Sequence, residues 1–228
     1  MHIVVPLAGP DFVSQEGKIK ALRSFRGQPL LPYLLQSRPW ANQASHHTFI
    51  LTDAGPVRDF AETYLKQWYP NASIVFLSGY TNGAALSALA GVAMQAARDE
   101  PLIVDLGDIY YKSDLDIKQR LSRNSQCGGI ALVFGSDQTI YSYLRCNHDG
   151  LVVQAAEKRV ISDNASAGTY VFRNTSTYLR AMAHALENKE SQMHNYLFYV
   201  CPLFNGVLAQ GMQVEIDPVY DVVDIKKG

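Results

Sequence analysis

Three short stretches carry residue types that could handle phosphate and a divalent cation. The first is Leu7-Ala8-Gly9-Pro10-Asp11-Phe12, a turn that directly follows the apolar run Ile3-Val4-Val5. Small residues there let backbone N–H groups approach a phosphate closely, although an Ala-Gly-Pro turn on its own is more often just a turn. The second is Lys20, at the end of the same loop, where it can set a point charge on a phosphate. Lys18, Arg23 and Arg26 compete for that role, and alone each reads as a solvated surface cation. The third is Asp108, which closes Ile103-Val104-Asp105-Leu106-Gly107-Asp108. A carboxylate just past an apolar strand suits Mg²⁺, which takes oxygen ligands and substrate phosphates, and serves as a cap or turn residue about as often. Asp105 is expected to point elsewhere, because strand side chains alternate.

Those residues need strands to deliver them. Ile3-Val4-Val5, Phe49-Ile50-Leu51, Ile74 to Leu77 and Leu102 to Val104 read as buried strands. Between them lie helical patterns. Val57 to Trp68 has Phe60, Tyr64 and Trp68 on one face, and a second helix starts near Gly83 with Leu86, Leu89, Ala90 and Ala93 at helical spacing. This alternation predicts a mostly parallel sheet with helices on both faces, and in such sheets ligands sit beyond the carboxyl ends of the strands. In the second half, Gly129 to Phe134, Ile140 to Cys146 and Leu151 to Ala156 read as consecutive strands, the last two joined at Asp149-Gly150. Thr169 to Phe172 is a further strand. Helices are expected over Tyr178 to Leu186 and Tyr196 to Gln210, then short strands at Gln213 to Ile216 and Tyr220 to Ile225.

Composition narrows the choices. The formal net charge is −1, so no global basic field favours a nucleic acid or an acidic membrane, and an anionic ligand must be held locally. The three cysteines stand apart without metal-ligand spacing, which argues against zinc and for a reducing cytoplasm. The apolar run Met1 to Leu7 is too short for a signal peptide, and no run reaches membrane-spanning length. His46-His47 reads as a surface pair. Arg38-Pro39-Trp40 and Trp68-Tyr69-Pro70 read as helix ends packed on the core. Tyr141-Ser142-Tyr143 alternates as a strand should, with core packing favoured over a place in a ligand pocket.

Taken in order, these pieces resemble the sugar-nucleotidyltransferase family, the sugar-1-phosphate pyrophosphorylases and related cytidylyltransferases. Ile3 to Gly9 is similar to the opening strand and the start of a glycine-rich loop. Lys20-Ala21-Leu22 with Gly27-Gln28-Pro29-Leu30 resembles the lysine segment and its "G-K-P-L/M" sequel. Thr81-Asn82-Gly83-Ala84-Ala85 resembles the base-recognition turn, and Ile103 to Asp108 the strand ending in a metal-binding aspartate. Glu157-Lys158 with Ala167 to Phe172 resembles the "E-K" and "A/N-x-G-x-Y-x-F" pair, and Asp224-Ile225 the terminal "D-I/V" strand.

The resemblance implies a three-layer α/β/α, Rossmann-like (GT-A-like) nucleotidyltransferase fold with a mixed central sheet. It implies one domain over residues 1–228, with a nucleotide half over about 1–125 and an acceptor half over about 126–228. Leu7, Ala8, Gly9, Thr81 and Gly83 would then bind the nucleotide, and Lys20 and Asp108 would be catalytic. Glu157, Lys158 and Gly168 would bind the acceptor, and Asp108 and Asp224 would hold Mg²⁺. Asp217 and Asp221 compete with Asp224 as second ligand. The implied reaction joins a nucleoside monophosphate from a nucleoside triphosphate to a phosphorylated small molecule, as in making precursors for surface polysaccharide. No membrane insertion is expected, and a homodimer is compatible with the reading. The loop departs from the family's "G-x-G-x-R", with Pro10 and Asp11 after Gly9 and no arginine. The ending departs too, with Lys226-Lys227 after Ile225. Two alternatives stay open: a glycosyltransferase that consumes a nucleotide-sugar, and a non-catalytic nucleotide binder.

Overall fold

The computed structural model describes residues 1–94 and 99–225, so Lys226 and Lys227 lie outside the described residues. Its frame is a nine-stranded mixed sheet. Strands β1 (His2–Pro6), β2 (His46–Thr52), β3 (Ser73–Leu77) and β4 (Leu102–Asp105) are parallel, in the spatial order β4-β1-β2-β3. The chain therefore runs outward from β1 to β3 and then returns to the other side of β1. That reversal opens a crevice at the carboxyl ends of β1 and β4. Alternation along β1 sends Ile3 and Val5 into one buried cluster and Val4 into another on the opposite face.

Beyond β4 most of the pairings are antiparallel. After β5 (Ile109–Lys112) come β6 (Cys127–Gly135), β7 (Ser142–Cys146), β8 (Val152–Glu157) and β9 (Asn164–Phe172). The hairpin β7–β8 pairs Ser142 with Glu157 about the predicted Asp149-Gly150 turn. Strand β9 is forked. Its first residues lie beside β7, with Ala165 opposite Tyr143, and its last four pair with β4, with Thr169 opposite Asp105. A register shift between Ser166 and Tyr170 makes the changeover. Strand β10 (Gln213–Pro218) extends the sheet beside β6. Strand β11 (Tyr220–Asp224) instead forms a separate ribbon with β5.

Helices cover both faces: α1 (Leu30–Gln36), α2 over 55–68 with a widened turn at Ala61–Leu65, α3 (Ala84–Ala93), α4 (Ile117–Arg123), α5 (Thr175–Glu187) and α6 (Leu203–Ala209). Phe60, Tyr64 and Trp68 do share a face, their rings in contact along α2.

Helix α3 forms where the sequence predicts it. The innermost stripe of α3 is Ala85, Ala88, Gly91 and Val92, while Leu86 and Leu89 are half-buried and Ala93 is exposed. Small residues face the sheet because the helix lies close: a Cβ on Gly91 would stand 2.7 Å from Ile50 Cδ1. The helix expected from Tyr196 to Gln210 begins only at Leu203. Before it, Met193–His194 and Leu197–Phe198 form a tight hairpin whose turn, Asn195 and Tyr196, is left-handed with φ of 49° and 60°. Asparagine tolerates that conformation, and Pro202 sets the start of α6 because it lacks an N–H for an earlier turn.

Candidate active site

An open cavity of about 900 Å³ lies at the crevice where β1 and β4 end. Leu7, Ala8, Gly9, Lys20, Thr81 and Gly83 line one part of it. Asp108, Glu157, Lys158 and Gly168 line the other. All the predicted site residues thus line it except Asp224, which is hydrogen-bonded to the lining residue Tyr141.

On the first side, Leu7 leaves β1 with its N–H still bonded to Ile50 O at 2.8 Å. The loop that follows is a closed hairpin. Phe12 donates to Gly9 O at 3.1 Å, Lys20 N donates to Phe12 O at 2.9 Å, and Val13 bridges Ile19. Phe12 is buried against Phe60, which pins the loop to the core. This closure turns Lys20 toward the start of the loop, where its Nζ lies 2.7 Å from Asp11 Oδ2.

The Thr81–Gly83 turn is held twice. Thr81 Oγ1 donates to Gly83 O at 3.1 Å and lies 2.6 Å from Ser87 Oγ on α3. Gly83 has φ of 108°, and a Cβ there would fall 2.3 Å from Phe198 O. Phe198 N in turn donates to Asn82 O at 2.8 Å, so the 193–198 hairpin backs this turn.

Asp108 is nearly buried, at 6% exposure. Asp105 points away from it, as alternation predicts. It is fully buried against Arg38, with Nε–Oδ2 at 2.8 Å, and also accepts from Gly107 N at 2.9 Å. Arg38 stacks on the Tyr111 ring at 3.8 Å and donates to Ile109 O. Asp105 therefore braces the turn that presents Asp108. Ile225 N donates to Asp108 O at 3.2 Å, and Asp224 lies opposite Ile109 in the β5–β11 ribbon, which brings Asp224 beside Asp108. Asp217 is paired with Arg120 at 2.7 Å and Asp221 with Lys112 at 2.6 Å. Tyr141 donates to Asp224 Oδ2 at 2.6 Å, and burial, reinforced by that carboxylate, pushes its phenol pKa up.

On the second side, Ser142 donates a short hydrogen bond to Glu157. Lys158 is left-handed at φ 49°, its N–H bonded to Tyr141 O and its ammonium 5.4 Å from the Tyr199 ring centre. A non-glycine residue held there stores strain of a kind that clusters at functional sites. Sequence reasoning gave no role to Asp11 or Ser142 and favoured core packing for Tyr141. Counting back from the Asp149-Gly150 turn would have set Ser142 opposite Glu157.

Among the described residues no group of three or more His, Cys, Asp or Glu could hold a metal ion. Asp108 and Asp224 nevertheless suit Mg²⁺, which binds through one or two carboxylates and completes its shell with substrate phosphates and water.

No protein-family model matches the sequence, and no curated protein matches it. Solved structures do match. A nucleoside-diphosphate-sugar pyrophosphorylase from Vibrio cholerae RC9 superposes with a TM-score of 0.81 at 20% identity, over 99% of this chain and 95% of that one. The chain has the sugar-nucleotidyltransferase fold. An inositol-1-phosphate CTP transferase from T. maritima shares this nucleotidyltransferase fold, with a TM-score of 0.71 at 14% identity over 97% of this chain and 86% of that one. The mixed α/β architecture predicted from the sequence is therefore the one observed. Among the described residues no helix is long and apolar enough to cross a membrane.

Proposed function

We propose that the chain is a nucleotidyltransferase that joins the nucleoside monophosphate of a nucleoside triphosphate to a phosphorylated small molecule and releases pyrophosphate. One observation carries the reading: Lys20, Asp108, Glu157 and Lys158, predicted from separate segments, share one cavity at the sheet's switch point. The names of the two similar structures point the same way. The small residues of the loop after β1 and the Thr81–Gly83 turn would seat the nucleotide. Glu157 would accept hydrogen bonds from acceptor hydroxyls, while Lys158 would hold the acceptor phosphate.

An acceptor phosphate oxygen forms a bond to the α-phosphorus as the bond from that phosphorus to the α–β bridging oxygen breaks. The electron pair leaves with pyrophosphate. Lys20 neutralises charge on the phosphates, and positioning does most of the remaining work. Asp108 and Asp224 would hold Mg²⁺, which supplies further charge neutralisation when bound. The product, a nucleotide-activated sugar or similar alcohol, is of the class consumed in building surface polysaccharide. A cytoplasmic setting fits the three free cysteines. The glycosyltransferase alternative has less support, because Asp105, three residues before Asp108, is bound to Arg38 and does not line the cavity.

The test is pyrophosphate release with Mg²⁺, each common nucleoside triphosphate, and a panel of sugar-1-phosphates and other phosphorylated alcohols. Release that requires one triphosphate and one acceptor together is the expected result. Nucleotide binding without release under any pairing would overturn the reading in favour of a binding protein.

A further inference from the structure

The cavity that receives phosphate under the proposed function carries an acid on its phosphate-facing wall. Asp11 lines it, and its carboxylate lies 2.7 Å from Lys20 Nζ. The pair is built in. The hydrogen bonds from Lys20 N to Phe12 O and from Phe12 N to Gly9 O fix both backbones, and the buried Phe12 anchors the loop. Gly9 helps to seat the acid, since a Cβ there would stand 2.8 Å from Asp11 Oδ1. The Lys20 side chain is only 18% exposed, whereas Asp11 is 66% exposed and faces the open cleft. The lining side chains include two ammonium groups, Lys20 and Lys158, against the carboxylates of Asp11, Asp108 and Glu157. A phosphate chain entering here must share Lys20 with Asp11 and bear the repulsion of its carboxylate.

That repulsion depends on ligand charge. A free nucleoside triphosphate ends in an ionised phosphoryl group, whereas in a nucleoside-diphosphate sugar the terminal phosphate is esterified and carries less charge. We infer that Asp11 is a specificity-determining residue, which biases the cleft toward nucleotide diphosphates esterified at their far end and against free triphosphates. The inference rests on the proposed nucleotide site and deepens it: the activated product is held more tightly, relative to the triphosphate, than the fold alone would arrange.

The experiment measures dissociation constants by calorimetry in Mg²⁺, for the triphosphates of uridine, thymidine and cytidine and for their nucleoside-diphosphate glucose counterparts. The wild-type protein is compared with Asp11→Asn and Asp11→Glu. Asp11 is largely exposed, so both variants should fold, and circular dichroism checks this. The expected result is that Asp11→Asn tightens triphosphate binding about threefold to tenfold more than diphosphate-sugar binding. The excess should shrink as salt rises, and Asp11→Glu should keep the wild-type ratio. An unchanged ratio in Asp11→Asn, weaker triphosphate binding, or a glutamate variant that behaves like the asparagine one would overturn the inference while leaving the proposed function intact. Binding of neither ligand class by the folded wild-type protein would overturn both.

Discussion

A side chain added at Gly168 would place its first carbon 3.0 Å from Oδ1 of Asp108. The glycine has φ of 76° and sits in the register shift where β9 passes from β7 to β4. It also accepts a 2.9 Å hydrogen bond from Leu106 N, so the fork in the sheet and the Asp108 turn meet at one peptide. Gly168→Ala should therefore both strain the backbone and crowd the carboxylate. We expect about 1 kcal/mol or more of lost stability with a larger proportional loss in kcat than in nucleotide affinity. Denaturant unfolding alongside steady-state kinetics checks this; a variant with normal kcat would show that Asp108 tolerates the intrusion.

In the proposed reaction Lys20 would neutralise phosphate charge and Asp108 would hold the Mg²⁺ that adds to it. Replacing either with alanine should lower turnover on the order of 10²–10³-fold, the usual scale for one such group. Single-turnover rates on folded variants measure it. Full activity in Lys20→Ala would remove that residue from the mechanism.

Tyr141 acts on Asp224 through the 2.6 Å hydrogen bond described above. Tyr141→Phe deletes that donor and leaves the strand packing in place. The expected outcome is about a tenfold rise in the Mg²⁺ concentration that gives half-maximal rate, with KM for the nucleotide little changed. A magnesium titration distinguishes this from a general packing defect, which would alter both.

The Arg38–Asp105 pair is buried on both sides, at 3% and 1% exposure. Removing Arg38 alone strands a carboxylate in the core, and Arg38→Ala should cost about 3–5 kcal/mol in unfolding free energy. Urea denaturation tests it. Loss of nucleotide binding at temperatures where the variant is still folded would further show that the brace reaches Asp108.

His47 packs against Phe49 and Tyr69, and its pKa is lowered to about 4, chiefly by burial and then by the charge of His46. Between that value and the ordinary range near 6.5, the unfolded chain binds a proton that the folded chain does not. Stability from this residue is thus complete above about pH 6.5 and declines as pH falls toward 4. Thermal unfolding across that window should show a smaller acid decline in His47→Phe than in the wild type. Parallel curves would assign the decline to other groups.

Residues beside strand ends could be read from the sequence because they are local. The small-residue turn after Val5 and the aspartate after Val104 follow directly from where an apolar run stops. Asp224 was harder: choosing it over Asp217 and Asp221 requires the β5–β11 pairing, which joins segments far apart in the chain. The Asp11–Lys20 contact depends on a closed loop whose hydrogen bonds leave no pattern in residue types. The leucine spacing revealed α3 as a helix, but that the alanines and Gly91 lie innermost follows from its close approach to the sheet, which spacing does not show. The hairpin over 193–198 misled because Met193 and Phe198 pack on the core while Leu197 lines the cavity, which residue types alone do not distinguish from the face of a helix.

That hairpin has a consequence for how the protein could diversify. Its Phe198 backbone presses on Gly83 and bonds to Asn82, while Leu197 and Tyr199 on either side face the cavity. One short ribbon therefore touches both the Thr81–Gly83 turn and the cavity. Under the proposed function nucleobase choice and acceptor choice would not be independent traits, and a mutational library confined to 193–199 would sample both.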